Sequence, residues 1–150
     1  MIISVVAVFG CAEANTIRGQ ASIIDGDTIE IHGTRIRLHG IDTPESSQWC
    51  SDENSTQYRC GRDAAFALDD AIGNRVVSCV GNNTDRYGRI IAVCSVGAVD
   101  LNEYLVRAGF AVAYRKYSSD YISAEQEARA AARGLWRGAF EMPWDWRHNQ

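Results

Sequence analysis

Residues 24–45 read IDGDTIEIHGTRIRLHGIDTPE, and the fold is decided there. Thr28-Ile29-Glu30-Ile31-His32 alternates apolar with polar, the period of a half-buried strand. Arg35-Ile36-Arg37-Leu38-His39 alternates again and stops at Gly40. Gly33-Thr34 joins the two runs as a turn. Asp25-Gly26 is a turn signal ahead of the first run. Pro44 closes the second, because proline cannot donate to a central ladder. Just upstream, residues 21–24 form another short apolar strand.

Outward from this core, residues 75–80 and 90–96 make a second strand pair. They turn at Asp85-Arg86-Tyr87-Gly88, with Asp first and Gly fourth as a type I turn favours. Between the two strand groups, residues 61–72 have Ala64, Ala65, Leu68 and Ile72 on one helical side and Gly73 just beyond. Residues 99–108 repeat the helical spacing and end at Gly109. Residues 110–114 are a short extended piece, and residues 119–133 are a third helix ending at Gly134. Five strands with one helix inserted and two following predict an α+β fold, a five-stranded OB-type Greek-key β-barrel with three α-helices.

Composition agrees with one globular domain. The chain has 150 residues, 46% apolar and 23% charged, which excludes a disordered tail, a collagen and a coiled coil. No apolar run approaches the ~20 residues of a membrane span. The formal net charge of −4 argues against a basic coat for nucleic acid. Of the basic residues only Lys116 is a lysine, and arginine is the better fork for phosphate or carboxylate.

Residues 1–14 read as a secretory signal segment. An apolar run, MIISVVAVF, precedes Ala12-Glu13-Ala14, which resembles an A-x-A cleavage site. No Lys or Arg stands ahead of the run. Residues 15–150 are then the single mature domain, secreted or periplasmic. Gly10-Cys11 also resembles the end of a lipobox, an alternative with a lipid anchor on Cys11, although Phe9 fits that pattern poorly. Cys50, Cys60, Cys79 and Cys94 remain, an even number suited to an oxidising compartment. Cys79 and Cys94 lie symmetrically about the Arg86-Tyr87 turn, which predicts a cross-strand disulfide. Cys50 and Cys60 would close a short polar loop. No C-x-x-C pair supports zinc.

Asp25, Asp27, Asp42 and Glu45 all sit at turns or strand ends, where a rigid scaffold presents catalytic groups. Two like charges ~5 Å apart repel by about 3 kcal/mol at an effective dielectric of about 20. The cluster therefore needs arginines, protonation or a metal. Arg37 and Arg89 are candidates, and oxygen donors suit Ca²⁺ or Mg²⁺. Strand parity puts Arg37 on the face opposite Ile29 and Ile31, while Asp27 shares their parity. The groups converge only if Asp27 sits at the strand end or a bulge intervenes, and the pattern leaves both open.

The order I-D-G-D-T, R-x-x-x-x-D-T-P-E, D-R-Y-G-R resembles the thermonuclease family, the staphylococcal nuclease-like OB-fold nucleases, from about Ser22 to Trp136. The resemblance implies a Ca²⁺-dependent endonuclease that hydrolyses DNA and RNA with little sequence preference, cutting the 5′ P–O bond and leaving 3′-phosphates. It implies Asp27 and Asp42 as carboxylate ligands of calcium, the Thr43 carbonyl as a third ligand, and Asp25 as a supporting acid. It implies Glu45 as the base or water-orienting group, Arg37 and Arg89 as the arginines on the scissile phosphate, Tyr87 beside the terminal phosphate, and Tyr114 near the nucleotide. A monomer without a membrane span follows.

Departures are also visible. The loop 46–60 is lysine-rich in well-known members, and here it has Arg59 alone against Asp52 and Glu53. Lys116 stands where a second nucleotide-facing tyrosine is expected, with Tyr117 one residue late. His32, His39 and His148 are not expected to act, and Trp136, Trp144 and Trp146 with Pro143 are expected to clamp the barrel. The alternatives are a catalytically idle OB-fold module that binds nucleic acid, and an exported protein whose acids bind calcium for stability alone.

Overall fold

The computed structural model describes residues 15–150. The expected signal segment 1–14 and Cys11 lie outside them. The strands are β1 (Thr16–Gly19), β2 (Ala21–Asp25), β3 (Thr28–Ile31), β4 (Thr34–Leu38), β5 (Ile41–Asp42), β6 (Cys50–Ser51), β7 (Gln57–Tyr58), β8 (Val77–Thr84), β9 (Ile90–Val96), β10 (Val99–Asp100) and β11 (Val112–Ala113). The helices are α1 (Cys60–Ile72), α2 (Leu101–Arg107), α3 (Ile122–Ala130) and α4 (Pro143–His148), with a 3₁₀ turn at Gly134–Arg137.

The main sheet runs β1-β8-β9-β4-β3-β2. Its two ends are neighbours in the chain, so one bent segment, residues 16–25, pairs with β8 through its front half and with β3 through its back half. The sheet thereby curls back on itself as the expected five-stranded OB barrel, with its first strand split. β4 and β9 pair in parallel and the other ladders of this sheet are antiparallel, which is the Greek-key crossover. Buried Asn102 secures it: its amide nitrogen donates to the carbonyls of His39 and Ala92, and its oxygen accepts from Cys94 N.

Alternation decides the interior. Ile29, Ile31, Ile36, Leu38, Ile41, Leu68, Val77, Val96, Leu101 and Leu105 are buried together. A satellite core gathers Cys50, Cys60, Val112 and Leu135 with Tyr58, Trp136, Phe140, Met142 and Trp144. Trp136 and Trp144 therefore pack against the Cys50–Cys60 loop and Val112, whereas the expected clamp of three tryptophans lay over the barrel and Trp146 joins neither cluster. Both disulfides form as expected, Cys50–Cys60 and Cys79–Cys94.

Several boundaries differ from expectation. Among the described residues four α-helices replace three, because Pro143 at the first turn opens a further one, α4. Val99 and Asp100 pair with β9 before α2 begins, and the Asp100 carboxylate caps α2 by accepting from Glu103 N. β8 continues through Gly81-Asn82-Asn83 to Thr84, with a register irregularity between Val80 and Asn83. His32 and Gly33 both have positive φ, the two-residue hairpin turn that suits strand twist, so His32 belongs to the turn.

Candidate active site

Three turns meet at one end of the barrel. The first lies between β2 and β3. Asp27 precedes β3, and β2 carries an irregularity between Ile23 and Asp25. Asp27 is therefore freed from the strand parity that would have separated it from Arg37. Thr28 faces Arg37 across the ladder, so the guanidinium lies beside the turn. Gly26 is required here: a Cβ would sit 2.8 Å from Thr43 Oγ1.

The second turn leaves β5. Asp42 and Thr43 are buried, and Thr43 N donates to Asp27 Oδ2 at 3.1 Å. This hydrogen bond stitches the first turn to the second. Arg37 Nη2 then lies 3.4 Å from both Asp27 Oδ2 and Asp42 Oδ1. Glu45 follows, with its backbone nitrogen donating to buried Gln48 Oε1 and its carbonyl packed on the first turn of α1. A Cβ at Gly61 would lie 1.7 Å from that carbonyl oxygen. Cys60 fixes the same turn through its disulfide to Cys50.

The third turn joins β8 to β9. Gly88 N donates to Asp85 O, closing the expected type I turn. The Asp85 carboxylate accepts from Tyr87 N, Arg89 N and Arg89 Nε, which holds it below the usual carboxylate range although its partial burial pushes upward. Arg89 Nη1 also reaches Thr28 Oγ1 at 3.4 Å, and the guanidinium lies over the Tyr87 ring.

These turns border an open cleft of about 1100 Å³ lined by Asp25, Asp27, Arg37, Glu45, Tyr87, Arg89 and Tyr114, among others. All but two of the expected site residues thus share its wall. Asp42 and Thr43 lie behind the wall. Tyr114 stacks on Trp144 with ring centroids 5.1 Å apart and also meets Tyr117.

Two corrections concern the charge balance. Arg89, a candidate partner of the acid cluster, is tied to Asp85. Its place is taken by Arg147 of α4, a residue the sequence pattern did not single out. Arg147 Nη1 and Nη2 fork the two oxygens of Asp42 at 3.0 and 2.7 Å, and Nη1 also donates to Glu45 Oε1 at 2.8 Å. The sequence signal was indirect: more acid at residues 25–45 than Arg37 alone can neutralise. His39, which was not expected to act, pairs with Asp120 and also lines the cleft.

The carboxyls respond to their surroundings. Burial and the neighbouring charge of Asp27 push Asp25 up to about 7. Asp27 is buried too, but Arg37 and hydrogen bonds from Asp25 and Thr43 outweigh burial and hold it down at about 2. Burial pushes Asp42 up to about 6 against the opposing pull of its Arg147 hydrogen bonds. Those hydrogen bonds raise Arg147 in turn.

Among the described residues no three His, Cys, Asp or Glu side chains form a ready-made metal cage. Asp27 and Asp42 already share one cation, Arg37 Nη2, and such hard oxygen donors fit calcium or magnesium, which completes its shell with water. Among the described residues no helix is long and apolar enough to cross a membrane.

Residues 35–138 match the family described as staphylococcal nuclease homologue. Succinoglycan biosynthesis protein ExoI of Rhizobium meliloti is 42% identical over 127 residues, covering 83% of this chain and 66% of that protein. An uncharacterized endonuclease of Escherichia coli is 35% identical over 136 residues, covering 85% of this chain and 82% of that protein. A micrococcal nuclease of Shigella flexneri is 32% identical over 143 residues, covering 83% and 76%. The chain belongs to the staphylococcal nuclease family. Asp25 and Asp27 precede the matched segment and Arg147 follows it.

Proposed function

We propose that this staphylococcal nuclease family member is a calcium-dependent phosphodiesterase that cleaves DNA and RNA with little sequence preference, cutting the 5′ P–O bond and leaving 3′-phosphates. One observation carries the proposal: Asp27 and Asp42 share one nitrogen of Arg37 at the wall of a cleft that Glu45 and Arg89 also line. The family membership and the names of the endonuclease relatives support it. The two disulfides support a secreted or periplasmic site of action, since such bonds persist where thiols are not kept reduced. We take the working unit to be a monomer.

Phosphodiester hydrolysis gathers negative charge on the phosphoryl oxygens and needs a water aligned with the leaving oxygen. Asp27, Asp42 and the Thr43 carbonyl would hold the calcium ion, with Asp25 supporting Asp27. The bound ion would supply charge stabilisation at the phosphoryl oxygens. Arg37 and Arg89 would grip those oxygens, each pre-oriented by a carboxylate partner, so little reorganisation is needed when charge builds. Glu45 has one oxygen held by Arg147, and the other is left to orient the attacking water or take its proton. Tyr87 is largely exposed at the cleft rim, placed to meet a terminal phosphate. Tyr114, braced by Trp144, offers a ring to the nucleotide.

Glu45→Gln keeps the shape and removes the base, so turnover should fall by about 10²–10⁴-fold while a short oligonucleotide binds as before. Near-normal turnover would refute the assignment of Glu45. Binding without cleavage by the wild type would indicate the idle nucleic-acid-binding module instead.

A further inference from the structure

We propose that Arg147 is the internal counter-ion of the metal site: it occupies the Asp42 carboxylate in the metal-free protein and must release at least one of its oxygens when a divalent cation binds. The inference rests on the calcium reading above, and it concerns a residue outside the segment that matches the family.

Geometry carries it. The Asp42 side chain has no exposed surface. Its Oδ1 accepts from Arg147 Nη1 and Arg37 Nη2, and its Oδ2 accepts from Arg147 Nη2 at 2.7 Å. An ion approaching from the cleft therefore meets the guanidinium before it meets the carboxylate. Arg147 lines the cleft, whereas Asp42 does not.

Charge points the same way. Asp25, Asp27, Asp42 and Glu45 crowd one corner, Arg89 is committed to Asp85, and Arg37 alone would face them. Arg147 supplies the missing positive charge, the same requirement that a divalent ion meets. Two cations serving one carboxylate compete, because each weakens the field that attracts the other.

The arm is built to stay close after yielding. Pro143 is buried, and Trp144 stacks on Tyr114. The carbonyl of Glu141 accepts from the buried Gln48 amide at 2.7 Å. The contact with Glu45 Oε1 gives the guanidinium a second partner beside the first. A swing off Asp42 would leave the positive charge at the cleft wall.

The test uses full-length Arg147→Met and Arg147→Lys, with calcium titrated calorimetrically in the absence of substrate and melting followed in chelator and in calcium. The methionine variant should bind calcium roughly tenfold or more tightly than wild type. It should melt lower in chelator and gain more from calcium. The lysine variant should fall between, since an ammonium cannot fork both oxygens of Asp42. Unchanged or weaker calcium affinity in the methionine variant overturns the inference and leaves Arg147 a structural brace. If that variant does not fold, tighter binding by the lysine variant supports the inference and unchanged or weaker binding overturns it. Calcium binding to none of the three proteins overturns this inference and the calcium reading together, whereas unchanged affinity beside calcium-dependent cleavage overturns this inference alone.

Discussion

The turns between β2 and β3 and after β5, and the segment 134–150, reach the same carboxylates from opposite ends of the chain. The turns supply the acids, and they are shaped by close backbone contact. Gly26 lets the first turn touch Thr43, and Gly61 lets the Glu45 carbonyl rest on α1. The C-terminal segment approaches otherwise. It packs aromatic rings around the Cys50–Cys60 loop and sends one guanidinium across to Asp42 and Glu45. The chemical groups are local to a strand-end scaffold with Arg37 beside them, while the rest of their neutralisation is delivered by Arg147, 105 residues from Asp42. Placing an acid needs backbone precision, and balancing its charge needs only a long side chain with a firm anchor.

The sharpest way to break that contrast is to disturb the backbone under Glu45. Gly61→Ala puts a Cβ where only 1.7 Å separates it from a backbone oxygen, and neither the helix nor the loop can yield cheaply. Stability should fall by about 1–3 kcal/mol, and turnover per folded molecule should fall at least about tenfold, because Glu45, the proposed base, would be displaced. Gly73→Ala at the far end of α1 is the comparison. It strains a positive φ but meets no atom within 4 Å, so it should cost about 1–3 kcal/mol and leave turnover intact. Denaturant midpoints and single-turnover rates on the two variants decide the point, and equal turnover losses would contradict it.

A smaller effect separates the disulfides. Cys50–Cys60 closes a span of 10 residues and Cys79–Cys94 one of 15. Chain entropy gives each about 3 kcal/mol, nearly the same. Their neighbourhoods differ, since the first lies between Glu45 and the C-terminal clamp and the second ties β8 to β9 inside the barrel. Replacing Cys50 and Cys60 by serine should reduce turnover several-fold, whereas replacing Cys79 and Cys94 should lower the melting temperature and spare turnover of the folded fraction. Equal activity in both double variants would show that the loop disulfide is merely structural.

Much of this was legible in local pattern. The alternation of residues 28–39 gave β3 and β4, with their turn one residue late because Thr34 pairs with Ile31, and the symmetry of Cys79 and Cys94 about Arg86-Tyr87 gave their pairing. Asp85 and Gly88 marked their turn because a type I turn needs them at those positions. What escaped depends on tertiary partners. Asn82 and Asn83 have weak strand preference, yet β9 supplies the ladder that extends β8. Val99-Asp100 is too short to declare itself a strand without β9 beside it. The convergence of Asp27 with Arg37 hung on a strand end and an irregularity in β2 that alternation cannot reveal. Arg147 lies 105 residues from Asp42, and nothing in Trp144-Asp145-Trp146-Arg147 distinguishes a clamp from a clamp that carries a charge.

One incubation decides whether these turns form a metal-dependent phosphodiesterase. Single-stranded DNA is mixed with the purified protein in calcium, in magnesium and in excess chelator, and the products are resolved by length and end group. Fragments ending in 3′-phosphate are expected in calcium and none in chelator. Cleavage undiminished by chelator, or none in any condition, would contradict that reading.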